Sequence, residues 1–247
     1  MLRGLWRLTW LETKIFLREP LGAIGTLLLP ILIFVLFGRL GRGRAAPDGV
    51  PMLAGAELPI FVSIMIALNA VLSLVTIVAI YREGGILKRL RATPMRPHTI
   101  LTAHVVVKLL FAGATLAALF AVGRRIVTFP PDTPIVGFSI AVLFSTLSVL
   151  TMGFLVASLV RIARFAQPVG ALIFYPMLAV SGLFFPVEWL PPALRVVARM
   201  VPLTYAVSLM KGIWRGDGWL AHGTDLGALA LTMAICLAIS ARWFRWE

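Results

Sequence analysis

Six long apolar runs alternate with short polar or basic segments along this chain. They cover residues 21–38, 59–81, 99–123, 135–160, 165–185 and 226–241. Such lengths suit helices crossing roughly 30 Å of hydrocarbon. The pattern predicts an all-α integral membrane protein with six transmembrane helices. Pro20 suits the first turn of the first run, and Pro30 is expected to kink it.

The polar segments refine this picture. In residues 1–20, Arg3, Arg7, Lys14 and Arg18 fall on one helical stripe, and Glu12 and Glu19 on another. Trp6, Trp10 and Phe16 add bulky rings. This reads as an N-terminal amphipathic interfacial helix at the membrane surface; the plainer alternative is a charged lead-in to the first span. Between residues 186 and 216 lie two helical patterns too short to cross. One starts after Pro191 and Pro192 and places Leu194, Val197 and Val201 opposite Arg195 and Arg199; the other covers 203–214. These predict short external re-entrant helices between spans five and six. Residues 21–247 then form one six-span domain, without internal repeats or a soluble module.

Composition and charge agree with a membrane chain. The protein is 60% hydrophobic with net charge +13, and its mean hydropathy is +0.97. The basic residues read as topology and lipid-headgroup contact, not as a nucleic-acid surface. Six spans with the N-terminus inside place more Lys and Arg on inner than on outer segments, which predicts cytoplasmic termini. Charges recurring through Arg18 and Glu19 argue against a cleaved leader. The single cysteine, Cys236, excludes an internal disulfide and a cysteine-based metal site.

Candidate chemistry is sparse. No Gly-x-x-x-x-Gly-Lys-Ser/Thr loop occurs, so the chain should not bind ATP itself. No nucleophile elbow or zinc-protease helix occurs, so no catalytic residue is expected. His98, His104 and His222 do not converge by spacing on a metal site. No Asp or Glu lies inside a run. His104 and Lys108, at i,i+4, are the groups available to a proton relay; the alternative has Lys108 snorkelling to the inner surface and His104 bonding a neighbouring helix. Two polar stripes, Asn69, Ser73 and Thr76, and Ser145, Ser148 and Thr151, are candidate substrate-path faces or packing contacts between helices. Apolar walls favour an amphipathic or lipid-like cargo.

The basic island at 83–97 carries the sharpest signal. Glu83 opens it, Lys88, Arg89 and Arg91 follow, and Ile86, Leu87 and Leu90 form an apolar edge. Pro94 ends the pattern and restricts Thr93. Residues alone leave two readings, a short docking helix at 83–94 or a solvated loop serving topology. The segment resembles the first coupling helix of type-2 ATP-binding-cassette (ABC) exporter permeases, in the branch with daunorubicin-resistance and nodulation-factor exporters. Glu83, Lys88-Arg89-Leu90-Arg91 and Thr93-Pro94 fill the family's places. So do Ser181-Gly182-Leu183-Phe184-Phe185-Pro186, Leu190-Pro191-Pro192 and Pro202-Leu203-Thr204-Tyr205. Lys211 departs from the family's usual Arg or Gln, keeping charge but losing the planar fork.

The resemblance implies a permease subunit in the bacterial inner (plasma) membrane. It implies two copies of a separate ABC ATPase subunit, which carry the ATP and Mg, and a second permease subunit in a homodimer or heterodimer. No cofactor is implied in this chain. The coupling set would be Glu83, Ile86, Leu87, Lys88, Leu90, Arg91, Thr93 and Pro94. The helices between spans five and six, with Phe184, Phe185 and Tyr205, would line or gate the exit. The alternatives are a stand-alone secondary transporter or channel, and an assembly subunit with no path.

Overall fold

The computed structural model describes residues 2–18, 24, 28–40, 58–85, 97–126, 134–160 and 162–243, and among these every regular element is helical. In chain order the helices are α1 (Leu2–Arg18), α2 (Leu29–Leu40), α3 (Leu58–Glu83), α4 (Pro97–Ile126), α5 (Ile135–Leu159), α6 (Ala163–Val180), α7 (Pro192–Met200), α8 (Pro202–Arg215) and α9 (Gly223–Trp243). Short 3-10 turns lie at Val187–Trp189 and Leu220–His222.

Four stretches are long and apolar enough to cross a membrane: Ser63–Tyr81, Thr102–Arg125, Ile135–Leu159 and Leu220–Ser240. Helices α7 and α8 meet at 82°, and they add a fifth if the bent pair is one broken span. Among the described residues the count is therefore four or five. The run at 165–185 gives a shorter apolar helix, Arg164–Val180. It stops early because Ser181 and Gly182 turn the chain: Ser181 Oγ donates to Leu178 O at 2.7 Å and Gly182 has φ +81°, a conformation that glycine adopts without a Cβ penalty. Pro30 lies in the first turn of α2, where its missing N–H costs nothing. It does not bend the middle of a described helix.

Helix α5 is the hub, packing against α3, α4, α6, α8 and α9. Gly153 of α5 sits against Val71 of α3, where an added Cβ would lie 3.0 Å from Val71 Cγ1. Small residues allow this close approach, and van der Waals contact supplies much of the association energy when lipid is the alternative solvent. Phe138 meets Trp214 of α8 edge-on at 4.8 Å between ring centroids, and Phe120 of α4 at 6.1 Å. Such aromatic pairs each add about 0.5–1.5 kcal/mol beyond area burial. The Ile135–Leu159 window is 67% buried, against 22% for Leu220–Ser240. So α9 is peripheral and turns Leu231, Ile235 and Leu237 outward.

The pairs Ser73–Lys108 and Tyr81–His104 show that α3 and α4 run antiparallel. Phe120 and Phe138 then mark the opposite end, where α4 finishes and α5 begins. The 16 residues from His104 to Phe120 separate the two ends by about 24 Å of helix.

Candidate functional site

Helix α3 ends sharply at Glu83. Gly84 N donates to Ile80 O at 2.8 Å, and Gly85 takes φ +65°, a helix stop that leaves the chain free to change direction. Glu83 is exposed at this end. The remaining members of the sequence-derived coupling set, Ile86, Leu87, Lys88, Leu90, Arg91, Thr93 and Pro94, lie outside the described residues.

Just inside this end is a polar cluster made by three helices. Tyr81 Oη of α3 donates to Glu12 Oε1 of α1 at 3.0 Å. Glu12 Oε2 lies 3.7 Å from His104 Nδ1 of α4. Tyr81 and His104 meet edge-on, with ring centroids 5.2 Å apart. One turn further, Lys108 Nζ donates to Ser73 Oγ at 2.6 Å and lies 4.6 Å from the Phe16 ring centroid. Phe16 in turn contacts Phe111 at 4.3 Å. A hydrogen bond to an ionised group contributes about 1.5–3 kcal/mol. Lys108 does not snorkel: it is 3% exposed and its ammonium ends on Ser73 and the Phe16 ring. His104 does face a neighbouring helix, but that neighbour is α1. Sequence reasoning passed over Glu12 and Tyr81. The available signal was the spacing of Thr9, Glu12 and Phe16 (i, i+3, i+7), on the side of α1 away from Arg7, Lys14 and Arg18.

A second polar region lies along α8, which runs from its corner with α7 to Trp214 at the Phe120–Phe138 end. A helix C-terminus leaves carbonyls without intrahelical donors. Here Thr204 Oγ1 donates to Ala198 O at 2.6 Å, and Tyr205 Oη to Arg199 O at 2.7 Å. Pro202, in the first turn of α8, has no N–H to satisfy. These bonds give the Pro202–Tyr205 motif a physical reason. Lys211 Nζ donates to Gly182 O at 2.8 Å and ties α8 to the turn after α6. Asp225 Oδ2 accepts from Ser208 Oγ at 2.8 Å and lies 2.8 Å from His222 Nδ1. The carboxylate stands between the hydroxyl and the imidazole, so the order is not that of a hydrolytic triad. Around these groups is a cavity of about 750 Å³, lined among others by Phe184, Phe185, Trp189, Tyr205, Lys211 and Asp225.

The polar stripes divide. Asn69 Nδ2 and Thr76 Oγ1 return to the carbonyls of Met65 and Leu72 in their own helix, while Ser73 takes Lys108. Ser145, Ser148 and Thr151 are buried. Ser148 Oγ donates across to Leu229 O of α9 at 2.9 Å, and Thr151 Oγ1 donates to Ser148 O at 2.6 Å. Among the described residues, no group of three or more His, Cys, Asp or Glu side chains is placed to hold a metal ion.

The sequence matches known proteins along most of its length. The family model described as ABC-2 type transporter matches residues 3–214, from α1 to the end of α8. The chain belongs to the ABC-2 type transporter family. As a member of this family it is a multi-pass membrane subunit of an ABC transporter. It is 26% identical to Nodulation protein J of Rhizobium meliloti (strain 1021), over 98% of this chain and 92% of that protein. It is likewise 26% identical to Nodulation protein J of Rhizobium leguminosarum bv. viciae, over 98% and 93%. It is 27% identical to the putative transport permease ycf38 of Cyanophora paradoxa, over 82% of this chain and 71% of that protein.

Proposed function

We propose that this ABC-2 transporter subunit is the permease of an ATP-driven exporter in the bacterial inner membrane. In this reading it has six spans and cytoplasmic termini. Two copies of a separate ATPase subunit dock beneath it, and a second permease subunit stands beside it. ATP and Mg belong to the ATPase. Nucleotide-driven closure of the ATPase displaces the helix at 83–94, with Ile86, Leu87 and Leu90 as apolar anchors and Glu83, Lys88, Arg91, Thr93 and Pro94 framing them. The spans then reorient, and cargo leaves at the opposite end.

The observation that carries this reading is the placement of the two ends. A membrane-length helix runs without a break to Glu83 and into a basic segment. The cavity lined by Phe184, Phe185 and Tyr205 extends to Asp217 and His222, just past the end of α8 that reaches the Phe120–Phe138 end of the bundle. Its aromatic faces sit beside Lys211 and Asp225, a mixture suited to an amphipathic drug-like or lipid-like cargo with a polar head. Asn69, Ser73, Thr76, Ser145, Ser148 and Thr151 are the candidate faces along the path between.

The test is reconstitution of the permease with its cognate ATPase subunit. Efflux of a panel of lipidic and drug-like compounds is measured with ATP, and separately with an imposed proton gradient. ATP-dependent efflux supports the proposal. Efflux that ignores nucleotide and collapses with the gradient supports secondary transport instead, for which Glu12, His104 and Lys108 would supply titratable groups.

A further inference from the structure

Helix α1 has three distinct faces. Arg7, Lys14 and Arg18 share one by spacing, and all three are exposed. Trp6 and Trp10 share a second and are exposed, at 70% and 65%. Thr9 and Phe16 share the third and are buried. Glu12 lies on that buried face with only 12% of its side chain exposed.

The apolar part of this contact packs Phe16 against Val107 and Phe111 and helps hold α1 against α4. The Glu12 carboxylate is different, because a group that leaves its partners in a poorly hydrated place loses bonds that nothing replaces. It bridges two helices at once, taking the Tyr81 hydroxyl of α3 on one oxygen and facing the His104 ring of α4 with the other. Tyr81 stands two residues before Glu83, the last residue of α3. A push entering α3 at Glu83 acts two residues from Tyr81, and Tyr81 is bonded to α1 across 69 residues of sequence.

We propose that Glu12 is a positioning residue for energy coupling: through Tyr81 it makes α1 move with the Glu83 end of α3, and through His104 it carries that movement to the start of α4. The proposal rests on the ATP-driven reading given above. On this account α1 is part of the moving machinery and is not only a membrane float. The bond to Tyr81 matters more than the charge, since a hydroxyl donor needs only an acceptor oxygen at that place.

The experiment is hydrogen–deuterium exchange on the full complex of permease and ATPase in nanodiscs, compared without nucleotide and trapped with ADP and vanadate. Peptides covering 2–18 and 84–96 are followed together. In the unaltered protein both are expected to change exchange on trapping. In Glu12→Ala and Tyr81→Phe the change at 84–96 is expected to persist and the change at 2–18 to be lost. Glu12→Gln keeps a carbonyl acceptor for Tyr81 and is expected to restore it. Glu12→Ala combined with Tyr81→Phe should be no worse than either alone. If Glu12→Ala does not fold, Tyr81→Phe, which removes one hydroxyl, carries the test. A nucleotide response at 2–18 that survives Glu12→Ala and Tyr81→Phe overturns the proposal. So does an unaltered protein in which 84–96 responds and 2–18 does not, and in that case ATP coupling stands. If 84–96 itself does not respond with the ATPase bound, the ATP-driven reading fails and this proposal with it.

Discussion

The imidazole of His222 occupies the space in which a side chain at Gly212 would begin. The ring is held there by Asp225 Oδ2, 2.8 Å from Nδ1, and a second carboxylate, Asp217, stands 3.6 Å from Nε2. Gly212→Ala must therefore push the ring off Asp225 and open the junction between α8 and the start of α9. Overpacking of this kind costs about 1–3 kcal/mol. The expected result is a lower unfolding temperature in detergent for Gly212→Ala. The double variant Gly212→Ala, His222→Ala should lose less than the sum of the two single changes, because the obstructing ring is gone.

Asp225 serves two donors, so the carboxylate should matter more than either partner. Asp225→Ala leaves Ser208 and His222 without their acceptor, at about 1–3 kcal/mol for stranded polar groups. Asp225→Asn keeps an acceptor oxygen and should lose less. Thermal unfolding of the two variants checks the order, and equal losses would show that Asp225 acts by packing alone.

Much of the architecture was legible because lipid imposes simple rules. Apolar length marked α3, α4, α5 and α9 to within a few residues at each end. The amphipathic stripe marked α1, and the prolines at 191 and 192 marked the start of α7. The length of α6 was harder to read. Residues 181–185 are apolar apart from Ser181, but Ser181 and Gly182 turn the chain, and hydropathy does not register a turn. The polar cluster escaped for a different reason. The apolar runs hold no acid, and the carboxylate beside His104 comes from outside them, on α1. Spacing rules find partners on one helix. Glu12 and Tyr81 meet only once the helices are packed.

Lys108 and Ser73 give predictions of different size. Its ammonium is buried, so Lys108→Met removes a desolvated charge and keeps most of the volume, and it should change stability by less than about 1–2 kcal/mol in either direction. Ser73→Ala keeps the charge and removes the Ser73 acceptor, at about 1–3 kcal/mol. Unfolding of the two variants, measured side by side, checks this. A larger loss for Lys108→Met than for Ser73→Ala would reverse the assignment.

Gly153 should tolerate no larger residue unless Val71 yields. The contact of 3.0 Å that a Cβ would make with Val71 Cγ1 puts Gly153→Ala at about 1–3 kcal/mol. Val71→Ala should offset part of that loss when combined with it and destabilise when made alone. Strictly additive losses would show that the α3–α5 contact does not limit this position.

The most direct measurement of ATP coupling uses Leu87→Ala, Leu90→Ala in the complex with its ATPase subunit. Truncating apolar anchors at a docking contact costs about 1–3 kcal/mol each where they are hot spots. The account predicts that less ATPase co-purifies with the double variant and that ATP-driven efflux falls with it, while the permease remains folded and membrane-inserted. Full ATPase recovery together with unaltered efflux would contradict it.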